Sequence, residues 1–265
     1  MSVLVSKRTL SRHEYVNTFM ELYNYTNIKL NKVPKRKRKF LCEKLISQMN
    51  LIYNRVMEVN NEYLHHGIKL MDISDQAKYL ISQLYLLQKP LVALWNIEHY
   101  KTKYMAHWAD MIDKEINVIA SLGHLQNKGG RHMYILDYEA INKANFIKTM
   151  SILHRFVYTK IIPVNPNFRD TKGILIIDLA DEAWYRVTHA NRFVPTNKKM
   201  YEQRVEDIEI AFDCLRKMQQ PVNALFNYME YSENTMLEWS SLISEEMKLL
   251  KGLQVSDRKR FADLT

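Results

Sequence analysis

The chain has 265 residues, a formal net charge of +9 at pH 7 and 47% hydrophobic residues, enough for a sound core in one large domain or two ordinary ones. Its two cysteines, Cys42 and Cys214, are too few for a disulfide framework and form no Cys-x-x-Cys zinc motif. No apolar run approaches the roughly 20 residues of a membrane span, and the N-terminus is charged too soon for a signal peptide. With only six Gly and six Pro, the composition predicts a reduced, cytoplasmic, all-α protein without a membrane segment.

Four amphipathic helices are predicted in the first half of the chain. Ser11-x-x-Glu14 is a capping box that opens helix 1. Helix 2 is expected to end near Asn60-Asn61, because short amides suit a C-terminal turn, and Pro90 is expected to kink helix 3. Apolar stripes at steps of three and four residues carry the prediction: Tyr15, Phe19, Leu22, Thr26 and Leu30; Leu41, Leu45, Met49, Ile52, Val56 and Val59; Ala77, Leu80, Ile81, Leu84 and Leu87; and Met105, Trp108, Ile112, Ile116 and Ile119.

The second half of the chain repeats the first with an offset of 131 residues. Because Trp, Tyr, Pro and Asn all stay in register, similar helical composition does not explain the agreement. Eleven positions between 88 and 122 carry the same residue 131 positions later: Gln88, Pro90, Ala93, Leu94, Asn96, Tyr100, Met105, Trp108, Ile112, Glu115 and Leu122.

The repeat predicts two tandem up-down four-helix bundles. Gly129-Gly130, the only Gly-Gly pair in the sequence, marks the connection. We therefore assign a basic bundle to residues 1–125, a linker to 126–140, and a neutral bundle with a C-terminal tail to 141–265. Pro221 repeats Pro90, so a kink is expected in both. The stripes of the second bundle are Phe146, Met150, Leu153, Val157 and Ile161; Ile176, Ala180, Tyr185 and Thr188; Ile208, Phe212, Leu215 and Val222; and Met236, Trp239, Ile243, Met247 and Leu250.

Two short motifs offer catalytic or metal alternatives. A di-iron bundle needs two Glu-x-x-His motifs, but the chain has one, Glu62-x-x-His65, which the repeat does not preserve. Arg8 and His13 match the Arg-x4-6-His spacing of ribonucleases of the HEPN superfamily, yet they lie at the start of helix 1 and not late in the bundle. No phosphate loop, dinucleotide fingerprint or nucleophile elbow occurs. The sequence predicts no enzyme, cofactor or metal, and a HEPN-like ribonuclease is the remote alternative.

The positive charge lies in the first half, where residues 1–131 contain 20 Lys and Arg against 11 Asp and Glu, while residues 132–265 contain 18 of each. Five consecutive cations, from Lys35 to Lys39, surround the start of helix 2. The helix dipole is already positive there, so cations and backbone N–H groups together suit phosphates. The corresponding loop, Asn165 to Asp170, has lost nearly all this charge, so the fold does not require it. Candidate nucleic-acid contacts are Lys29, Lys32, Lys35, Arg36, Lys37, Arg38, Lys39, Lys44, Lys101 and Lys103.

Two features of this region, the basic run and the nearby tyrosines, each have an alternative interpretation. The basic run can be a solvated face that only keeps the protein soluble. We interpret Tyr23, Tyr25 and Tyr53 as core or inter-unit contacts in preference to platforms for stacking bases.

Three patterns in the first unit carry a family resemblance: Asn31-Lys-Val-Pro-Lys35, Asn60-Asn-x-Tyr63, and Tyr104-x3-Trp108-x3-Ile112-x3-Ile116. Over most of residues 12–122 the chain resembles the accessory variability determinant (Avd) proteins of diversity-generating retroelements. It is also similar to the related four-helix proteins encoded by 23S rRNA intervening sequences.

The resemblance implies a non-enzymatic helical bundle that forms homo-oligomers and binds RNA and the reverse transcriptase of the element. Such a protein supports mutagenic copying of a variable repeat (mutagenic retrohoming), and Lys35 to Lys39 would contact the nucleic acid. Members of that family are single units that usually form rings of five, whereas this chain is a fused pair with a neutral second copy. The alternative from another class is a protein-only helical scaffold of a mobile element or phage.

Overall fold

The computed structural model of the protein describes residues 14–66, 70–123, 125, 144–191, 194–228 and 231–264, except for the side chains of 62–66, 70–72, 227 and 228. All regular secondary structure in these ranges is helical, which confirms the all-α prediction. The chain forms two compact units, Met1–Ile135 and Leu136–Thr265. The boundary between them falls inside the range predicted as a linker.

The first unit is built from four helical segments, two of which are briefly interrupted. Its helices are α1 Glu14–Leu30, α2 Lys35–Leu41, α3 Glu43–His66, α4 Leu70–Leu86, α5 Gln88–Glu98 and α6 Thr102–Leu122. Cys42 and Leu87 keep right-handed helical dihedrals between their flanking helices, so α2 with α3 and α4 with α5 each form one segment. α1 packs on α3 and α6, and α4 packs on α3 and α6, which closes a four-helix bundle.

The second unit has the same plan. Its helices are α7 Asn145–Ile161, the one-turn α8 Pro166–Phe168 with a π-helical turn at Arg169–Gly173, α9 Ile174–Ala190, α10 Lys198–Tyr228 and α11 Glu233–Arg260, followed by a 3₁₀ turn at Ala262–Leu264. α7 packs on α9 and α11, and α10 packs on the same two helices. The limits of α7 lie 131 residues after those of α1, and α11 begins 131 residues after α6.

The predicted stripes form the two cores. All five stripe residues of α1 and all five of α6 are buried, and Trp108 and Trp239 are almost completely excluded from solvent. Five predicted core residues are instead partly exposed: Ile81, Phe146, Tyr185, Phe212 and Met247. Ile147 and Glu246 are buried beside two of them, so the inward-facing residue there is one position away from the expected one.

One predicted helix end is wrong, and the two prolines expected to kink their helices have different surroundings. The helix expected to end near Asn60-Asn61 continues to His66. Asn60 is buried and accepts a hydrogen bond from the Tyr15 hydroxyl at 3.4 Å, so a tertiary contact satisfies its amide and the helix does not end there. A break before α5 accompanies Pro90, whereas α10 runs through Pro221 without interruption. The capping residue Ser11 lies outside the described ranges.

Candidate nucleic-acid interface

The candidate cations lie at one end of the first unit, where α1 leads into α2 and α5 leads into α6. The Tyr100 hydroxyl donates to the backbone oxygen of Lys29 at 2.8 Å, and Lys37 Nζ lies 2.6 Å from Glu98 Oε1. The Tyr25 hydroxyl donates to the backbone oxygen of Tyr104 at 3.3 Å. These contacts bring residues 29–39 and 98–104 together in one region, which we call the basic end.

Lys29 is the buried member of this set, with 9% of its surface exposed. Its Nζ lies 3.6 Å from the centroid of the Tyr104 ring and 4.9 Å from that of Tyr25. Ammonium groups at such distances are attracted by the electron-rich ring faces. The charge of Lys29 is therefore used inside the protein, to hold α1 against the start of α6.

Arg38 and Lys37 also have partners within the unit. Arg38 donates from Nε to the Val33 oxygen at 2.8 Å and from Nη2 to the Asn31 oxygen at 2.6 Å. These carbonyls follow the end of α1, where backbone oxygens lack helical partners. Arg38 thus fixes the loop between α1 and α2, and Lys37 ties the first turn of α2 to the end of α5 through Glu98.

The other cations of the basic end face solvent to a greater degree. Lys103 Nζ lies 5.3 Å from the Tyr104 ring centroid, and Lys44 is partly exposed. Because the exposed parts of these side chains are hydrated, phosphates can approach them at small desolvation cost. The exposed members are Lys32, Lys35, Arg36, Lys39, Lys101 and Lys103.

The second unit reproduces the internal contacts of the basic end. Tyr231 donates to the backbone oxygen of Lys160 at 2.6 Å, as Tyr100 does to Lys29. Arg169 Nη1 donates to the Ile162 oxygen at 3.3 Å, the counterpart of the bond from Arg38 to Asn31. Arg38 and Arg169 therefore hold the same loop in the two copies. Lys29 and Lys160 each lie over an aromatic ring, with Lys160 Nζ 5.0 Å from the Phe156 centroid.

The remaining eight cations are not retained. Their counterparts 131 residues later carry no positive charge: Pro163, Pro166, Asn167, Phe168, Asp170, Leu175, Ser232 and Asn234. The repeat thus separates two cations that both copies retain from eight that occur in the first copy alone. Lys37 belongs to the second group although it forms an ion pair, since Phe168 replaces it.

The helix N-termini of the first unit, like its cations, are more favourable to an anion than those of the second unit. In the second unit, the Asn165 side chain accepts from the Asn167 N–H at 3.0 Å, and the Ser232 side chain accepts from the Thr235 N–H at 3.3 Å. In the first unit Pro34 and Lys101 occupy these capping positions, and neither helix has a side-chain cap or an acidic residue in its first turn. The basic end therefore combines exposed cations with uncompensated helix dipoles.

A buried glutamate occupies the same place in α6 and α11. Burial raises the pKa of Glu115 to about 8, and burial, with Glu245 adding to it, raises that of Glu246 to about 9. Thr18 Oγ1 donates to Glu115 Oε2, whereas neither carboxylate oxygen of Glu246 has a partner. Sequence reasoning missed both residues because the apolar stripe accounted for their helices, although their identity in the repeat was a usable signal.

The side chains of the motifs weighed for metal binding or catalysis lie outside the described part of the structure, and the described residues themselves offer no metal-ligand cluster. No three His, Cys, Asp or Glu side chains there gather as metal ligands would. Two histidines near the basic end have structural positions: His99 follows the last residue of α5 with a φ of 50°, and the His107 ring packs edge-on to Tyr25 at 4.8 Å. The side chains of Glu62 and His65, and both residues of the motif formed by Arg8 and His13, lie outside the described part of the chain.

The tyrosines weighed as stacking platforms have internal contacts. The Tyr23 hydroxyl donates to Asn50 Oδ1 at 2.8 Å, and the Tyr23 and Tyr53 rings lie 5.5 Å apart. Tyr25 packs edge-on to Trp108 at 5.5 Å. All three tyrosines therefore contribute to packing within the first unit.

None of the helices in the described ranges has both the length and the apolar character needed to cross a membrane.

Comparison of the chain with known proteins identifies no similar protein. No protein-family model, no curated protein and no solved structure matches the chain.

Proposed function

We propose that the protein is a non-enzymatic nucleic-acid-binding subunit whose basic end holds the phosphates of an RNA. One observation carries the proposal: the cations that the fold uses, Lys29 and Arg38, recur in both units, whereas the six exposed cations of the basic end occur only in the first. A merely solubilising charge has no need to gather at one end of one copy. Phosphates are the polyanions that such a surface suits.

The second unit has the role of a protein-binding or assembly module in this proposal. It is neutral overall and, like the first unit, exposes large apolar side chains, among them Leu237 at 61% and Phe226 at 43%. Together with the resemblance to Avd proteins, this supports the reverse transcriptase of a retroelement as the protein partner, and a cytoplasmic homo-oligomer as the working form. A search of the neighbouring genes for a reverse transcriptase, followed by copurification of that enzyme with the protein, tests this part.

The test of RNA binding replaces the exposed cations together. In the test variant Gln replaces Lys32, Lys35, Arg36, Lys39, Lys101 and Lys103. We expect at least a tenfold loss of RNA affinity at moderate salt. The slope of log K against log salt should fall by several units, since each neutralised phosphate contributes about 0.7 to 0.9. Fluorescence anisotropy with a labelled RNA over a salt series measures both, and the RNA should remain uncleaved.

A matched control removes the same number of charges from the second unit. It replaces six exposed cations with Gln: Lys198, Lys199, Lys248, Lys251, Arg258 and Lys259. This control should retain most of the affinity. Equal losses in both variants would show a response to net charge alone, and absence of RNA binding by the unaltered chain would favour the protein-only scaffold.

A further inference from the structure

An arginine at equivalent positions of the two units has different partners. In the second unit Arg186 donates from Nε to Glu182 Oε1 at 2.7 Å and from Nη1 to Asp207 Oδ1 at 2.9 Å. Glu182 lies one turn before Arg186 in α9, and Asp207 reaches the guanidinium from α10. Two carboxylates thus satisfy this guanidinium, in the geometry that such groups favour.

In the first unit the corresponding Arg55 lacks one of these acceptors. Its Nη1 lies 2.7 Å from Glu58 Oε2, and its Nη2 donates to Gln76 Oε1. Its Nε is buried and has no partner. The cause is local, because position 51, which corresponds to Glu182, is Leu51. A buried N–H without an acceptor destabilises the folded state, because it has lost water without gaining another partner.

A groove opens beside this donor between α3 and α4. It has a volume of about 560 Å³ and is lined by Leu51, Arg55, Glu58, Gln76 and Tyr79, among others. Leu51 and Tyr79 are large apolar side chains at 42% and 41% exposure, and the Tyr79 ring centroid lies 5.9 Å from Arg55 Cζ. Enclosed pockets suit small molecules, whereas an open groove between two helices with apolar rims suits a polypeptide.

We propose that this groove binds a partner polypeptide through an acidic side chain, whose carboxylate accepts a hydrogen bond from Arg55 Nε. The carboxylate takes the place that Glu182 has in the second unit, and a neighbouring apolar side chain packs on Tyr79. Leu51 is exposed at the rim and turns aside into solvent on binding. This site is independent of the proposed RNA surface, because none of its residues belongs to the basic end.

The local charges are compatible with this occupant. Glu58 lies against Arg55, and Lys78 Nζ lies 2.9 Å from Asp75 Oδ1, so these four charges balance. An incoming carboxylate therefore meets neither a net negative field nor a second free cation. Its attraction is directional, through the one guanidinium N–H that has no acceptor.

The experiment follows the Arg Nε–H resonances of the full chain by NMR during titration with acetyl-Leu-Glu-Leu-amide. We expect a saturable shift of the Arg55 resonance and none of Arg186, whose Nε already has Glu182. The matched peptide acetyl-Leu-Gln-Leu-amide should bind at least tenfold more weakly. Equal binding of the two peptides, an equal response to acetate alone, or no response of Arg55 overturns the proposal.

Two reciprocal variants test the cause. Leu51→Glu supplies an internal carboxylate and should abolish the Arg55 response, and Glu182→Leu should create a response at Arg186. A Leu51→Glu protein that keeps its helical circular dichroism and still responds overturns the proposal. If that variant does not fold, Glu182→Leu decides, since failure of Arg186 to respond then counts against the proposal.

Discussion

The equivalent ends of the two units differ in what their cations do. Arg38 and Arg169 bond to the same loop carbonyl in their respective units, whereas Lys35 and Arg36 give way to Pro166 and Asn167. Two copies of one fold in a single chain therefore act as an internal control. Side chains that recur with their contacts belong to the architecture, and side chains that occur in one copy are available for function.

The cores of the two units differ in how a buried tryptophan is hydrogen-bonded. Trp108 Nε1 donates to Thr26 Oγ1 at 2.8 Å, but Trp239 Nε1 is buried without a partner because Val157 stands where Thr26 would. The second unit has kept the large side chain and lost the small polar one. Buried polar groups are thus better satisfied in the first unit at this position.

The largest expected effect concerns the buried glutamates. Their pKa values are raised from 4.5 to about 8 and about 9, so the folded protein binds protons that the unfolded chain releases. The stability linked to them is fully present below about pH 4.5 and is lost as the pH rises through the folded values. We expect Glu246→Gln to stabilise the chain by about 4 to 5 kcal/mol at pH 8, which is about 3.5 pH units above the unfolded pKa at about 1.4 kcal/mol each, and hardly at all at pH 4.

Urea unfolding at the two pH values measures this difference. Glu115→Gln should show a smaller gain, because Thr18 already bonds to its carboxylate and its pKa is lower. The exposed Glu238→Gln serves as the control and should change stability by less than about 0.5 kcal/mol at either pH. A gain of Glu246→Gln that does not depend on pH would contradict the assignment.

An intermediate effect is expected at the tryptophans. Thr26→Val leaves the buried Trp108 N–H without an acceptor and should cost about 1–3 kcal/mol. Val157→Thr offers Trp239 the missing hydroxyl and should gain about 1 kcal/mol or less, since burying the hydroxyl offsets part of the bond. The free energy of unfolding in urea measures both changes. A lower free energy of unfolding for Thr26→Val together with a higher one for Val157→Thr would support the comparison of the two cores. A lower free energy of unfolding for both variants would contradict it.

The smallest expected effect connects stability with binding. Lys101→Ser places at the start of α6 the residue that caps α11, and it should stabilise the chain by about 0.5–1 kcal/mol. The same change removes an exposed cation, so RNA affinity should fall a few-fold. Thermal unfolding and RNA titration of the same sample measure the two effects. A variant that gains stability and loses no affinity would show that Lys101 lies outside the RNA surface.

The periodic positions of apolar residues predicted the helices well. The stripe from Tyr15 to Leu30 and the stripe from Met105 to Ile119 are buried as expected, because spacing along a helix alone places side chains on one face. The spacing of apolar residues locates the inward face of a helix only to within about one residue. For this reason the spacing predicts that Met247 faces the core, whereas the buried residue is its neighbour Glu246. The end of α3 was misplaced because Asn60 finds its partner, Tyr15, in another helix.

The candidate cations were predicted as one set, and the structure divides them. The sequence by itself determined the helical class, the repeat and the location of the positive charge in the first unit, since these depend on composition and spacing along the chain. Only the tertiary structure decided that Lys29 faces tyrosine rings, that Arg38 holds a loop, and that Arg55 lacks an acceptor beside a groove. Most of these interaction partners lie in other segments of the chain, and the packing of the bundle determines which of them come into contact.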